Sequence, residues 1–246
     1  MKFPKKIIVL TLWVISYIQL PVIAQQTDHI PLSTIKKWKL YYDQLYGADY
    51  SLVNGTKYLN LYPFSNGHPF LGEDQFYTGN LMINNQLYQG VEIKYDVHNQ
   101  QVILQYHHFS GSLDRIILIK EFINEFEING KLFRQYNFSE TNPCFYQVVT
   151  HGEIYCLYYW TKEMKLSGSS SDNLYKYMPE KKESFLVINQ QLYAFKDRRS
   201  FLKLLPEENR EEIKQFMKSN KIWLINAGVY QLQQLLSYCN ELIQSN

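Results

Sequence analysis

The chain has 246 residues, of which 46% are hydrophobic, 20% charged and 16% aromatic, with 11 Gly and 8 Pro. That composition excludes a disordered, collagen-like or low-complexity chain and leaves room for one large domain or two small ones. The formal net charge is +2, and setting aside the three lysines of residues 1–24 leaves 22 basic against 23 acidic residues, a net charge of −1. Nucleic-acid binding draws on a basic surplus that releases phosphate counterions, so no nucleic-acid partner is expected.

Lys2, Lys5 and Lys6 form a basic start, and Ile7 to Leu20 is apolar apart from Thr11, Ser16 and Gln19. With Val22 at −3 and Ala24 at −1, the pattern predicts a secretory signal over residues 1–24, cut before Gln25. The other reading is an uncleaved membrane anchor, for which the run is short against the roughly 20 residues a bilayer core needs. No cysteine follows the cut, which argues against lipoprotein anchoring. Beyond the signal no apolar run reaches about 18 residues, so no transmembrane helix is expected in the mature chain. Export would place the protein in the periplasm, at the outer-membrane periphery or outside the cell.

Residues 25–31 read as a short polar leader ending in Pro31. From Ser33 to Tyr46, Ile35, Trp38, Tyr42 and Leu45 fit helical spacing, although the aromatics would also suit a strand; the periodicity favours a helix. Asn54-Gly55 signals a turn, Tyr58 to Tyr62 a strand, and Pro63 to Asp74, with Asn66-Gly67 and His68-Pro69, a loop.

From Phe76 to Phe195 the pattern is one of successive antiparallel hairpins. Val91 to Asp96 alternates apolar and charged residues, which predicts one buried and one wet face. The strand before it, Phe76 to Ile83, is joined through Asn84-Asn85. The strand after it, Val102 to Tyr106, follows the polar Val97-His98-Asn99-Gln100. Arg115 to Lys120 carries apolar residues on both faces, which suggests a central position. Phe122 to Ile128 and Lys131 to Tyr136 flank Asn129-Gly130, a pair that readily supplies the two positive φ angles of a type I′ turn. Counting outward from that turn pairs Ile128 with Lys131, Phe126 with Phe133, and Glu125 with Arg134. Further hairpins join Cys144–Val149 to Glu153–Trp160 through a turn near His151-Gly152, and Phe185–Ile188 to Gln191–Phe195 across Asn189-Gln190. Ser167 to Ser171 reads as a surface loop and not a nucleophile elbow, because GxSxG is absent.

The period changes at the C-terminus. Ser200 can N-cap a short helical turn through Leu205, and Pro206 with Glu207 and Glu208 opens a helix whose stripe is Ile213, Phe216 and Met217, ending near Asn220. After Ala227-Gly228, Leu232, Leu235, Leu236, Cys239, Leu242 and Ile243 define an amphipathic helix whose stripe the sheet and the preceding helix would cover.

Cys144, Cys156 and Cys239 are too few for a disulfide scaffold, and neither CxxC nor a zinc spacing occurs. A Cys144–Cys156 bridge and plain buried thiols both remain open. Six histidines, His29, His68, His98, His107, His108 and His151, are the candidate imidazole ligands for a metal. HExxH is absent, and Asp96 and His98 alone are spaced to share a strand face, so turn and edge residues are the simpler reading. Glu73 and Asp74 would be paired acids for glycosidase-type work, but solvated loop acids account for them more simply. Neither GxGxxG nor GxxxxGK[ST] is present, so no phosphate cradle is predicted. No catalytic, cofactor-binding or metal residue is therefore assigned, and no cofactor is expected.

The unusual feature is the aromatic load, 21 Tyr, 14 Phe and 4 Trp, concentrated in words such as Tyr155 to Trp160. It suits an amphipathic platform for a glycan, peptide or lipid-like ligand, and equally β-propensity with core filling. A membrane β-barrel is disfavoured by the terminal helices and by strands shorter than about 9–11 residues. Asn54-Gly55-Thr56 and Asn137-Phe138-Ser139 match the glycosylation sequon but read as a turn and a strand end.

The words LVNGTKYLNLYP (52–63), GHPFLGEDQFYTGNLMINNQLYQGVEIKYDVHNQQVILQ (67–105), FEINGKLFRQY (126–136), CFYQVVTHGEIYCLYYWTKEM (144–164) and LLPEENREEIKQFMKSNKIWL (204–224) resemble a group of secreted Bacteroidetes-type proteins with no assigned activity. The resemblance implies export and one β-rich unit with C-terminal helices, and carries over no site residue. From the periodicity, the expected fold is α+β, a meander of about nine or ten antiparallel strands forming a curved sheet, sandwich or incomplete barrel. Two C-terminal helices pack on it, in one domain over 25–246. The function expected is a non-enzymatic cell-envelope module that binds a ligand or protein partner. The alternatives are a hydrolase with dispersed site residues and a structural accessory of an outer-membrane assembly.

Overall fold

Three turn pairs fix the register of most of the chain: Asn84-Asn85, Asn129-Gly130 and Asn189-Gln190 all have positive φ at both positions, between 48° and 67°. This is the backbone of a type I′ turn, whose twist matches that of the strands it joins. The protein is seen in a computed structural model that describes residues 49–108, 110–138, 143–166 and 175–244, with 31, 33, 34, 37, 38 and 41 before them. The signal segment, most of the polar leader, Ser139 and the Ser167–Ser171 loop lie outside the described residues. Contacts divide the chain into residues 1–38 and 39–246. In the first unit Ser33, Thr34, Lys37 and Trp38 are helical, in line with the Ser33–Tyr46 periodicity.

Among its described residues the second unit carries thirteen strands: β1 (Gly55–Lys57), β2 (Tyr77–Ile83), β3 (Gln86–Asp96), β4 (Gln101–His107), β5 (Leu113–Leu118), β6 (Ile123–Ile128), β7 (Lys131–Tyr136), β8 (Cys144–Val148), β9 (Tyr155–Thr161), β10 (Met164–Leu166), β11 (Tyr175–Tyr177), β12 (Lys181–Ile188) and β13 (Gln191–Phe195). Helices α1 (Arg198–Lys203), α2 (Arg210–Ser219) and α3 (Val229–Gln244) follow. Eleven strands form one open antiparallel sheet in the order β1-β5-β4-β3-β2-β6-β7-β8-β9-β12-β13, and β10 pairs with β11. This is the α+β meander that the periodicity predicts, with slightly more strands because β1, β10 and β11 are three residues each, too short to show a period.

The connection from β5 to β6 forces the sheet to curl. In a flat sheet β5 and β6 would stand four strand spacings apart, about 19 Å. The five steps from Leu118 to Ile123 could reach only about 17 Å fully extended, and a 3₁₀ turn at Lys120–Phe122 shortens them further. The curl encloses Leu81, Ile93, Tyr95, Leu104, Phe126, Phe133 and Phe145. The Tyr95 ring stands edge-on to Phe126 and Phe133, 5.1 Å from each, and Phe126 stacks on Phe133 at 4.9 Å. The predicted hairpin register holds, with Ile128 opposite Lys131, Phe126 opposite Phe133 and Glu125 opposite Arg134.

Cross-strand partners share a face, so one row runs from this core into the other half of the sheet through Phe133, Gln147, Tyr158, Ser184 and Phe195. Beyond Tyr158 that face is covered by the helices, through Phe201, Ile213, Met217, Leu232, Leu235, Leu236 and Cys239. The opposite face gathers Val148, Leu157 and Val187 with Tyr136, Phe138, Tyr146 and Tyr155. Consecutive aromatics in β8 and β9 thus serve two faces.

Some local expectations are corrected. Tyr58 to Tyr62 is not a strand; pairing stops at Lys57, and Leu59 and Leu61 are exposed. Asn54-Gly55 is not the turn; the chain turns at residues 50–52 and Gly55 opens β1, paired with Leu118 so closely that a Cβ there would lie 2.0 Å from the Ile117 carbonyl oxygen. β5 is not central but sits beside the short edge strand β1. Asp197, not Ser200, caps α1: the Ser200 N–H donates to the Asp197 carboxylate while the Ser200 hydroxyl accepts from the Asp197 N–H.

Phe133 is fully buried between the stacked and edge-on rings. Phe133→Ala is expected to cost about 3–5 kcal/mol of stability, read by urea unfolding. A loss under about 1 kcal/mol would show that the aromatic cluster does not hold the curl.

Candidate functional site

Several groups weighed for chemistry do converge, at the end of the curl where the β3–β4 turn meets the 66–74 loop and the chain leaving β9. Asp96 ends an alternating strand and was expected on the wet face, yet it is 2% exposed. The loop closes over it: Phe70 bridges to Asp96, and the Val97 N–H donates to the Pro69 carbonyl. The Asp96 carboxylate accepts from the His98 and Asn99 N–H groups at 2.9 and 2.8 Å and from Asn99 Nδ2 at 2.8 Å. Burial pushes its carboxyl up, while those hydrogen bonds act in the opposite sense.

The neighbours are committed in the same way. Gln100 Nε2 donates to the Val97 and Trp160 carbonyls, and Gln100 Oε1 accepts from the Tyr95 hydroxyl at 2.6 Å. His98 Nδ1 lies 2.8 Å from the Lys162 carbonyl, and Lys162 Nζ donates to the His68 and Phe70 carbonyls. Asp74 pairs with Lys94, whose ammonium lies over the Phe70 and Phe76 rings. His68 stacks on Phe70, and burial lowers its pKa. This is a staple joining the β3–β4 turn, the loop and β9, its donors and acceptors turned on one another. His107 and His151 are exposed and stand elsewhere, and His29 lies outside the described residues. Among the described residues no three His, Cys, Asp or Glu side chains gather at metal-binding distance.

Cys156 and Cys239 do not supply a nucleophile at neutral pH. Burial pushes the Cys156 and Cys239 thiols up to about 12, which keeps them protonated. Cys144 and Cys156 are not bridged. The β8–β9 register sets Val148 opposite Leu157, which places Cys156 past the far end of β8 from Cys144.

A second site, which the sequence did not flag, is built by the end of α2. Lys221 takes φ +53, the Ile222 N–H donates to the Met217 carbonyl at 2.9 Å and the Lys221 N–H to the Lys218 carbonyl at 3.2 Å. This Schellman closure buries Ile222 beside Met217. The chain then turns tightly, the Asn226 N–H donating to the Trp223 carbonyl at 2.9 Å. Two cavities of about 380 and about 500 Å³ share the wall formed by Leu224 and Ile225. The first is lined by Arg198, Arg199, Lys218 and Lys221 with Met217, Ile222 and Trp223. The second is lined by Lys182, Lys196, Ser184 and Phe195, the last two ending the row of partners that starts in the core.

Among the described residues that line the two cavities, the acids are Asp197 and Glu183. Asp197 is occupied by the α1 cap, and its hydrogen bonds from Ser200 hold the carboxyl below the usual range. The two cavities, which share Leu224 and Ile225 and are together called the groove, are each of a size that takes a small ligand, with basic side chains and that shared apolar wall in their lining. Comparison with known protein families, with curated proteins and with solved structures finds no match.

Replacing Tyr95 with Phe strands the Gln100 carbonyl oxygen and is expected to cost about 1–2 kcal/mol, read by urea unfolding. Because the Cys156 and Cys239 thiols are raised when folded, their contribution is full below the ordinary thiol range and is lost as pH rises from 9.0 toward about 12. In a native thiol titration at pH 8 neither should react, and all three cysteines should react in denaturant without reductant. Fewer than three thiols in denaturant would reveal a disulfide and contradict the structure.

Proposed function

We propose that this chain is an exported cell-envelope protein that binds, without chemistry, an anionic ligand carrying an apolar portion. Export is supported by the basic start, apolar run and Val22–Ala24 cleavage pattern of residues 1–24, and by the resemblance to secreted Bacteroidetes-type proteins. The observation that carries the binding reading is the groove, where Arg198, Arg199, Lys218 and Lys221 surround the apolar wall of Leu224 and Ile225. A carboxylate or phosphate would meet the basic rim, and a short hydrocarbon would lie on Met217, Ile222 and Trp223. The acids and histidines best placed for hydrolysis, Asp96, His98 and Asp74, are engaged in holding turns together.

The test is a thermal-shift comparison of octyl phosphate and octanoate with inorganic phosphate and octyl glucoside. A ligand at 100 times its Kd adds about 2.7 kcal/mol, a rise in Tm of roughly 5–10 °C for a chain of this size. Both anionic amphiphiles should produce it. Arg198→Ala with Arg199→Ala and Lys221→Ala should abolish it. An equal rise with octyl glucoside, or one that survives in the triple variant, would contradict the assignment.

A further inference from the structure

We propose that the turn after α2 and the start of α3 dock this protein onto an anionic bilayer surface. Trp223, Ile225 and Tyr230 are 70%, 76% and 69% exposed. They are displayed rather than loosely placed: Ile222 and Ala227 are buried on either side, at 4% and 9%, and the Trp223–Asn226 hydrogen bond closes the turn between them. Alternate residues therefore root the segment in the helical core while its largest apolar side chains face water. Trp and Tyr, with an apolar body and a polar tip, favour the headgroup region of a bilayer.

Charge selects the kind of bilayer. Lys218 and Lys221 flank the turn at the end of α2, and Arg198 and Arg199 stand across the first cavity from it. The acids of α2, Glu211 and Glu212, lie in its first turn, at the opposite end of the helix. Exposed aromatic and aliphatic side chains ringed by Lys and Arg combine the two attractions that hold a peripheral protein at a membrane, shallow apolar burial and anionic headgroups. An acidic protein partner would answer the charge, but a fluid interface also takes up three exposed large apolar side chains without a pocket shaped for each.

The experiment is co-sedimentation of the full mature chain with phosphatidylcholine vesicles with and without phosphatidylglycerol. Binding is expected only with phosphatidylglycerol, and added salt should weaken it. Trp223→Ala with Ile225→Ala should lower partitioning by about tenfold or more; both positions are exposed, and an unchanged melting temperature verifies the fold. Brominated acyl chains should quench tryptophan emission in the native chain and fail to do so in Trp223→Phe. Equal binding to both vesicle types, no binding to either, or full binding by the double variant would overturn the proposal. So would a Tm raised by polyglutamate in a chain that ignores both vesicles, which would assign the surface to an acidic protein. Tyr230 lines neither cavity, so Tyr230→Ala should weaken vesicle binding and leave the octyl phosphate shift unchanged, and the two readings fail separately.

Discussion

Strand β2 hydrogen-bonds β3 along one edge and β6 along the other, and both ladders shift register within it, between Gly79 and Asn80 and between Met82 and Ile83. Such irregularities sharpen the twist of a sheet. At Gly79 the approach to β6 is so close that a Cβ would lie 2.1 Å from the Glu127 carbonyl oxygen. The meander can therefore run outward from β2 in both directions and still let a short connection join β5 to β6. Everything on the concave side follows from that curl. Tyr95, Phe126, Phe133 and Phe145 meet there, and the row through Gln147 and Tyr158 carries the same face to the helices.

The polar link in that row next to Phe133, Gln147, is buried and accepts from Trp160 Nε1 at 2.8 Å. Trp160 packs against both cores, and its carbonyl accepts from Gln100 of the β3–β4 turn. One residue thus ties the curl, the helical half and the polar staple together. The staple's buried Asp96 and positive-φ Gln100 hold a turn at its outer end. At the far end of the same face Phe195 packs on Phe201 of α1, and the two cavities lie beside it and the end of α2.

Much of this was legible in the sequence wherever a local rule decided the outcome. Asn129-Gly130 supplied both turn and register, and the Leu232–Cys239 stripe fixed which side of α3 would be buried. What failed was decided by non-local contact. Nothing near Asn54-Gly55 reveals that Ile117 would crowd it into a strand, and alternation placed Asp96 in water because the loop that covers it is distant in sequence. The groove was illegible for the same reason: Lys182, Arg198 and Lys221 are separated by about twenty residues each, and only the fold gathers them. The one local hint was Trp223 following Ile222 just past a helix end, where one of two adjacent large apolar residues had to remain outside.

The functional account rests on the location of recognition, at the groove and its exposed turn rather than at the buried acids. The most direct measurement is amide chemical-shift mapping of the mature chain during titration with octyl phosphate. The account predicts that the largest shifts fall within residues 194–200 and 217–225. Shifts confined to residues 66–76 and 96–100 would place binding at the Asp96 staple and contradict it.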